Sequence, residues 1–439
     1  MKYALFALLL FASCVFAIDS PKTQEIDVRI DFTRTLTAER EISSATFTSY
    51  EFPVAQVTVL SPVEYVKGID AYGNTYLVRE WESTNDLSYS LSLRVKNKAA
   101  VNSISVPPAF PYAPEDYPEY LAATKYAPIT PEIAQKAREI TDGSENAFDA
   151  VSRIAYWINQ NIEYTLSYGS IIEPADAVLR DRKGTCDEFS HLFIAMVRSL
   201  GIPARYVSGI TYGIFGVDSG GEADWYNHGW AEVYFGEWVP FDPTYGEYGY
   251  VDATHIKFAH GPDQEKFLSV LSWKPRTFEP DLKPLAYTIE ILDSSEFAQP
   301  VQKIILSPKE SRISPASSVK LGAELSSQSC IASELNIVYE DKDPSTPNLK
   351  LTLGKPSALI WTCSGAKDVS YTLQPPEGLD EGYIYSFETV VHNIAEEKKA
   401  KIDVDPTMSS GGSVRGGASP ASIISGIIES IKRLFSSLF

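Results

Sequence analysis

Four cysteines and five histidines are scattered over 439 residues, and few of them stand where they could act together. Cys186 lies in RDRKGTCDEFSHLFIAMVRSLGIPAR, residues 180–205. His228 opens HGWAEVYF, 42 residues further on (228 − 186), and Asp242 closes the strand in WVPFDPTYG. A thiol becomes a working nucleophile when a base takes its proton and a third group orients that base. Cysteine, histidine and aspartate in this order can supply the three roles, and the chemistry they suit is attack on a carbonyl carbon. A histidine at a strand start is more often structural, and Asp-Pro-Thr by itself marks a turn. The combination carries the reading. His191 falls on the flank of the cysteine's own helix and is expected on the helix surface.

The elements that must position these groups are legible. Phe189, Leu192, Phe193, Met196, Val197 and Leu200 recur at the three-four spacing of one buried helical face. Gly201, Ile202 and Pro203 end that helix. Thr185 and Glu188 stand three apart, as in a capping box with Thr185 as N-cap. Cys186 is then the first helical residue, among free backbone N–H groups at the positive end of the helix dipole. Both favour thiolate, and Arg182 and Lys183 lie just upstream. Thiols so placed can have pKa values lowered to roughly 3.5–7.5. The plainer alternative is a buried cysteine acting as a small hydrophobe.

The hairpin between His228 and Asp242 makes a sharper demand. Residues 228, 230, 232 and 234 share one face by alternation, and a slip of one residue reverses the face of the partner strand. A two-residue turn at Gly236-Glu237 would set Asp242 opposite Ala231, on the wrong side. A three-residue connection, Phe235-Gly236-Glu237, would pair Tyr234 with Trp238 and Asp242 with Trp230. Asp242 would then be the diagonal neighbour of His228, within side-chain reach. The sequence therefore predicts an odd-length loop or a bulge near Gly236. Otherwise Asp252 or Asp224 would replace Asp242.

The length suggests about three domains. A net charge of −19 gives no basic surface for nucleic acid. Residues 1–17, MKYALFALLLFASCVFA, read as a signal peptide, with FASC as a poorer lipobox alternative. Residues 18–104 alternate as strands and are expected to form an N-terminal β-sandwich. A Pro/Tyr-rich linker or strap follows over 105–127. Helices then strands over 128–282 argue an α+β catalytic domain. There Thr130-Pro131 begins one helix, Ser144 caps the next and Pro174 opens a third. Strand patterns over 283–407, beginning with YTIEIL, suggest a second, Ig-like β-sandwich. A Gly/Ser linker, 408–420, leads to 421–439, an amphipathic helix suited to a membrane surface or a protein partner. With Cys14 removed, three cysteines remain. Cys330 and Cys363 either pair or stay reduced, and Cys186 is left as the odd thiol.

GTCDEFSHLFIAMVRSLGIPARYVSG followed by HGWAEVYFGEWVPFDPT resembles the core of the transglutaminase-like superfamily. The upstream ITPEIAQKAREIT and AFDAVSRIAYWINQNIEYT are similar to the helical lead-in of its microbial members, so the resemblance spans about 128–258. It implies a papain/transglutaminase-like α+β core, here flanked by two β-sandwich domains. It also implies Cys186 as nucleophile, His228 as base and Asp242 as its orienter. The common family pattern has Ala where Gly229 stands, a change expected to be harmless. The flanking pattern of papain-type cysteines is absent, and no acidic cluster aligns with the calcium sites of animal enzymes, so no cofactor or metal is expected. The implied activity is acyl transfer from a peptide or glutamine amide to water or an amine, by a secreted or cell-surface enzyme on a protein or peptide substrate. The Cys186 N–H would serve the oxyanion, with Tyr164, Trp157 and Trp225 as candidates for a second donor. A surface adhesion or assembly protein with a non-catalytic core of this type is the alternative.

Overall fold

The computed structural model of the chain describes residues 22–408 and 414–415, apart from 51, 61–64, 167–171, 214–223, 265–269, 279, 284–285, 341–351 and 354–355. The signal-peptide reading of 1–17 and the amphipathic tail 421–439 lie outside the described residues, as does most of the 408–420 linker.

Among the described residues, four α-helices precede the strands of the core: α1 (Pro131–Thr141), α2 (Ala147–Asn161), α3 (Ala175–Asp181) and α4 (Cys186–Ser199). Thr130 caps α1 through its hydroxyl, which accepts from the Ile133 N–H at 3.3 Å, and Pro131 fills the first turn. The cap of α2 is Asn146, not Ser144. Its side chain accepts from the Asp149 N–H at 2.9 Å, while the Asp149 carboxylate accepts from the Glu145 N–H at 2.9 Å. That reciprocal closure places the helix start two residues later than a single serine suggests.

The apolar face of α4 carries Leu192, Phe193, Met196 and Val197, all fully buried against Phe148, Val151, Ile154 and Ile158 of α2. Each such side chain contributes about 1.5–3 kcal/mol by leaving water. Under the helices run the antiparallel strands Ala204–Gly213, Asp224–Tyr234 and Trp238–Asp242. The 105–127 segment lies as a strap on this hairpin. Tyr117 packs on Tyr234 and Trp238 with ring centroids at 4.8 and 5.1 Å, and Tyr120 meets Trp238 at 5.1 Å.

The core sheet does not stop at the core. Through Glu247–Tyr248, where Tyr248 pairs with Ala332, it continues into Ile331–Glu340, Tyr385–His392 and Glu397–Val404. A second sheet, built from Lys303–Ser307, Val319–Ser327 and Gly365–Gln374, shares a hydrophobic core with these strands. Cys330 and Cys363 form a disulfide at the base of the paired strands Ile331–Glu340 and Ser357–Thr362.

At the N-terminal end, Thr23–Arg34 pairs with Tyr89–Lys98 on one side and with Ala286–Glu296 on the other. Leu36–Ser49 pairs with Thr75–Asp86 and with Val270–Lys274. The YTIEIL strand, expected in the C-terminal sandwich, thus belongs to the N-terminal sheet. Alternation identifies a strand but not its partner, so sequence proximity misassigned it. Ile26, Val28, Ile30 and Phe32 share one apolar cluster with Ile210, Trp225, Ile256 and Phe258, which packs this sheet on the core.

Candidate active site

Cys186 begins α4, where the sequence placed it. The Glu188 carboxylate accepts from the Thr185 N–H at 2.8 Å and from the Thr185 hydroxyl at 2.6 Å. Its other oxygen accepts from the Glu173 N–H at 3.1 Å, which fastens the approach to the helix. The Ser190 hydroxyl donates to the Gly229 carbonyl at 2.9 Å and ties α4 to the strand that carries His228.

The hairpin has the odd-length connection. Tyr234 pairs with Trp238 and Ala231 with Phe241, so Asp242 falls level with Trp230. Gly236 takes φ 94°, a left-handed conformation that favours glycine, and the Phe235 N–H donates to the Glu237 carbonyl at 2.9 Å. Asp242 then reaches its diagonal neighbour: His228 Nε2 lies 2.6 Å from Asp242 Oδ2, with both side chains buried. Trp230 stacks on the His228 ring at 5.8 Å and Tyr245 meets it edge-on at 5.1 Å, which fixes its plane. Of the fallback aspartates, Asp224 stands at the exposed start of its strand, and Asp252 bonds to His255.

Burial by itself would push the Asp242 carboxyl up. His228 outweighs it, with His255 adding to the effect, and together they hold Asp242 well below the usual carboxylate range. Oδ1 also accepts from the N–H groups of Thr244 at 2.8 Å and Tyr245 at 3.2 Å. An ionised carboxylate only accepts, so His228 Nε2 carries the proton of that bond. Nδ1 is then the ring nitrogen placed to take up a proton, and His228 and Cys186 line one cleft of about 270 Å³.

The surroundings of the thiol oppose the activation that the helix start suggests. Burial pushes Cys186 well above its usual range and the neighbouring Asp187 carboxylate adds to this, while the Gly229 backbone N–H opposes them. Sγ sits 3.9 Å from Asp187 Oδ1. Asp187 is held by the Tyr206 hydroxyl, which donates to Oδ1 at 2.7 Å, and by Gln264 Nε2, which donates to Oδ2 at 2.8 Å. The dipole and the free N–H groups still act, but desolvation and an adjacent anion outweigh them.

Gly229 is not a harmless departure from alanine. A Cβ there would lie 2.3 Å from Tyr206 Oη and 2.5 Å from Asp187 Oδ1. His191 also departs from expectation. It is fully buried and stacked between Tyr126 at 5.3 Å and Tyr206 at 5.1 Å, because the strap and the sheet cover the flank that helical spacing left open. Tyr206 and Gln264 line the cleft, whereas the lining does not include Tyr164, Trp157 or Trp225.

Sequence reasoning missed His255, which sits behind Asp242. Its Nε2 lies 3.0 Å from Asp242 Oδ2 and its Nδ1 2.9 Å from Asp252 Oδ2. A single histidine in DATHIK carries no signal. Only the register, with Gly209 opposite both His228 and Lys257, brings it to Asp242. The donor atoms of His228, Asp242 and His255, and those of Glu247, Asp252 and His255, each lie within 4.8 Å of one another. Their hydrogen bonds to one another and to backbone N–H groups make them a proton network.

Residues 134–243 match the model of the transglutaminase-like superfamily. An uncharacterized protein of Mycobacterium leprae is 29% identical over 128 residues, 29% of this chain and 46% of that protein. The kyphoscoliosis peptidase of Mus musculus is 32% identical over 141 residues, 30% of this chain and 20% of that protein. The chain thus spans less than half the length of either relative. A crystal structure from Cytophaga hutchinsonii, described as a candidate cysteine protease, aligns with 63% of this chain and 93% of its own at 20% identity and a TM-score of 0.45.

Proposed function

On the footing that residues 134–243 form a transglutaminase-like domain, we propose that the chain is an exported thiol enzyme acting on amide bonds. Cys186 is the nucleophile, His228 the base and Asp242 the group that fixes its tautomer. The observation that carries this reading is the 2.6 Å bond from His228 Nε2 to Asp242, with His228 and Cys186 lining one cleft. As Sγ bonds to the substrate carbonyl, its proton passes to His228 Nδ1. A resting thiol suits proton transfer concerted with attack, as distinct from a stored ion pair. The tetrahedral oxygen accepts from the Cys186 N–H at the helix start. Collapse expels the amine, which takes the proton from His228. The thioester then passes its acyl group to water or to a second amine, with the same histidine acting as base.

We favour water as the acceptor. It needs no second binding channel, and the murine relative is named a peptidase. Export is supported by the 1–17 pattern and by the Cys330–Cys363 disulfide, since such bonds persist in oxidising compartments. Incubating the protein with casein, with and without a labelled amine, tests the reading. Thiol-dependent cleavage is expected, and amine incorporation without cleavage would reassign the acceptor. Neither product, from folded protein with an intact thiol, would sink the proposal.

A further inference from the structure

Asp242 Oδ2 accepts from two histidines at once, His228 Nε2 at 2.6 Å and His255 Nε2 at 3.0 Å. His255 is also held at its other nitrogen by Asp252 Oδ2 at 2.9 Å, and Asp252 Oδ1 accepts from the Thr254 N–H at 2.6 Å. Both partners of His255 are carboxyl groups, and where both are ionised both of its ring nitrogens donate. Such a ring is an imidazolium. No solvent reaches it, and its ring centre lies 5.4 Å from that of His228.

We propose that His255 is a positioning residue of the thiol site, an imidazolium clamped between Asp242 and Asp252 that aims Asp242 at His228 and withholds part of its charge. Two effects follow, and both have the same sign. The positive charge of His255 disfavours a second one on His228. The shared oxygen also offers His228 only part of its accepting power. The His228 ring can then accept the proton of the Cys186 thiol as attack begins.

The surroundings fit this assignment. Facing His255 are Asp242, Asp252, Glu247 and Tyr245. Facing His228 are Asp242, His255 and Tyr245, with Cys186, Asp187 and Tyr206 around the cleft and Tyr164 close to the thiol. Burial and the neighbouring Asp252 push the Glu247 carboxyl well above its usual range, so it adds no third anion. Asp252 and Asp242 outweigh the effect of burial on His255 and hold its proton on.

The inference rests on the triad reading, but its test does not need turnover. Imidazole NMR follows the five histidines in the wild type, in His255→Gln and in Asp252→Asn. The His228 signal is assigned by its loss in His228→Asn. His255→Gln removes the charge. Asp252→Asn keeps the shape and turns an amide N–H₂ toward His255, which then loses its proton. In both, His228 should hold its proton to higher pH, by about two units for a charge at this distance in an effective dielectric of about 20. The acid limb of kcat/KM should move with it, so that activity lost at neutral pH returns at higher pH. Folded variants in which the His228 titration stays in place would overturn the proposal. A uniform activity loss at every pH would do the same, since that is the mark of a purely structural role. If His255→Gln does not fold, Asp252→Asn decides the matter. A shifted titration in a protein without turnover would refute the enzyme reading and leave the network standing.

Discussion

Replacing Gly229 with alanine adds one methyl group and should cost more than its size suggests. The new Cβ would lie 2.3 Å from Tyr206 Oη, 2.9 Å from Tyr206 Cζ and 2.5 Å from Asp187 Oδ1. Tyr206 cannot simply swing away. It is 1% exposed, and its ring stacks on His191 at 5.1 Å. The cheapest relief separates Tyr206 from Asp187 and forfeits their 2.7 Å hydrogen bond. A hydrogen bond to a charged group contributes about 1.5–3 kcal/mol, and overpacking costs about 1–3 kcal/mol. The two overlap, because giving up the bond is how the clash is relieved, so a loss of about 2–3 kcal/mol is expected. Urea unfolding of Gly229→Ala, Tyr206→Phe and the double variant reads it directly. Tyr206→Phe removes Oη in advance, so the double variant should be less destabilised than the sum by about 1 kcal/mol or more. The relief is partial, since Asp187 remains in the way. A Gly229→Ala protein as stable as the wild type, or strictly additive losses, would refute the account of why glycine stands there.

Three further outcomes are expected. Cys186→Ala should abolish thiol-dependent turnover and keep the thermal transition, since alanine is the best helix former and the position lies in the first turn; loss of both together would make Cys186 structural. Replacing Cys330 and Cys363 by serine opens a loop with a sequence separation of 33 and should cost about 3–4 kcal/mol in chain entropy, read as a lower urea midpoint. Burial raises the Glu232 carboxyl, but the charges of Lys257 and Arg205 outweigh it and bring it down to about 2. With an unfolded value of about 4.3, its stabilisation is fully present above that pH and is lost as pH falls toward 2, so Glu232→Gln should flatten the acid-unfolding curve in that window.

What the sequence made legible was local. The capped cysteine helix follows from residues within one turn of each other. The hairpin register follows from alternation and one glycine, and it was enough to bring Asp242 to His228. What stayed hidden depends on distant segments. Burial and Asp187 push the Cys186 thiol up, against the dipole that the sequence does display. The burial of His191 comes from Tyr126 in one segment and Tyr206 in another. His255 reaches Asp242 only after two ladders have formed, through Ala204–Gly213 to Asp224–Tyr234 on one side and to Ile256–Gly261 on the other. Glycine and alanine look interchangeable after His228 until the tyrosine across the sheet is in place.

The pairing of Thr23–Arg34 with Ala286–Glu296 has a consequence for the order in which the chain is made. The first strand is complete at Arg34, and one of its two partners does not begin until Ala286, 252 residues later (286 − 34). Ribosomal synthesis runs from the N-terminus, so the whole core emerges while one side of that strand still lacks its neighbour. Bringing such distant segments together must overcome a large loop-closure entropy before any contact repays it. In the meantime the backbone N–H and C=O groups along that side of Thr23–Arg34 form an open strand edge, the kind of surface that recruits strands from other chains. A nascent chain stalled before residue 286 would therefore carry a folded-capable core and an aggregation-prone N-terminus, and the last strand to arrive acts as the seal on the first.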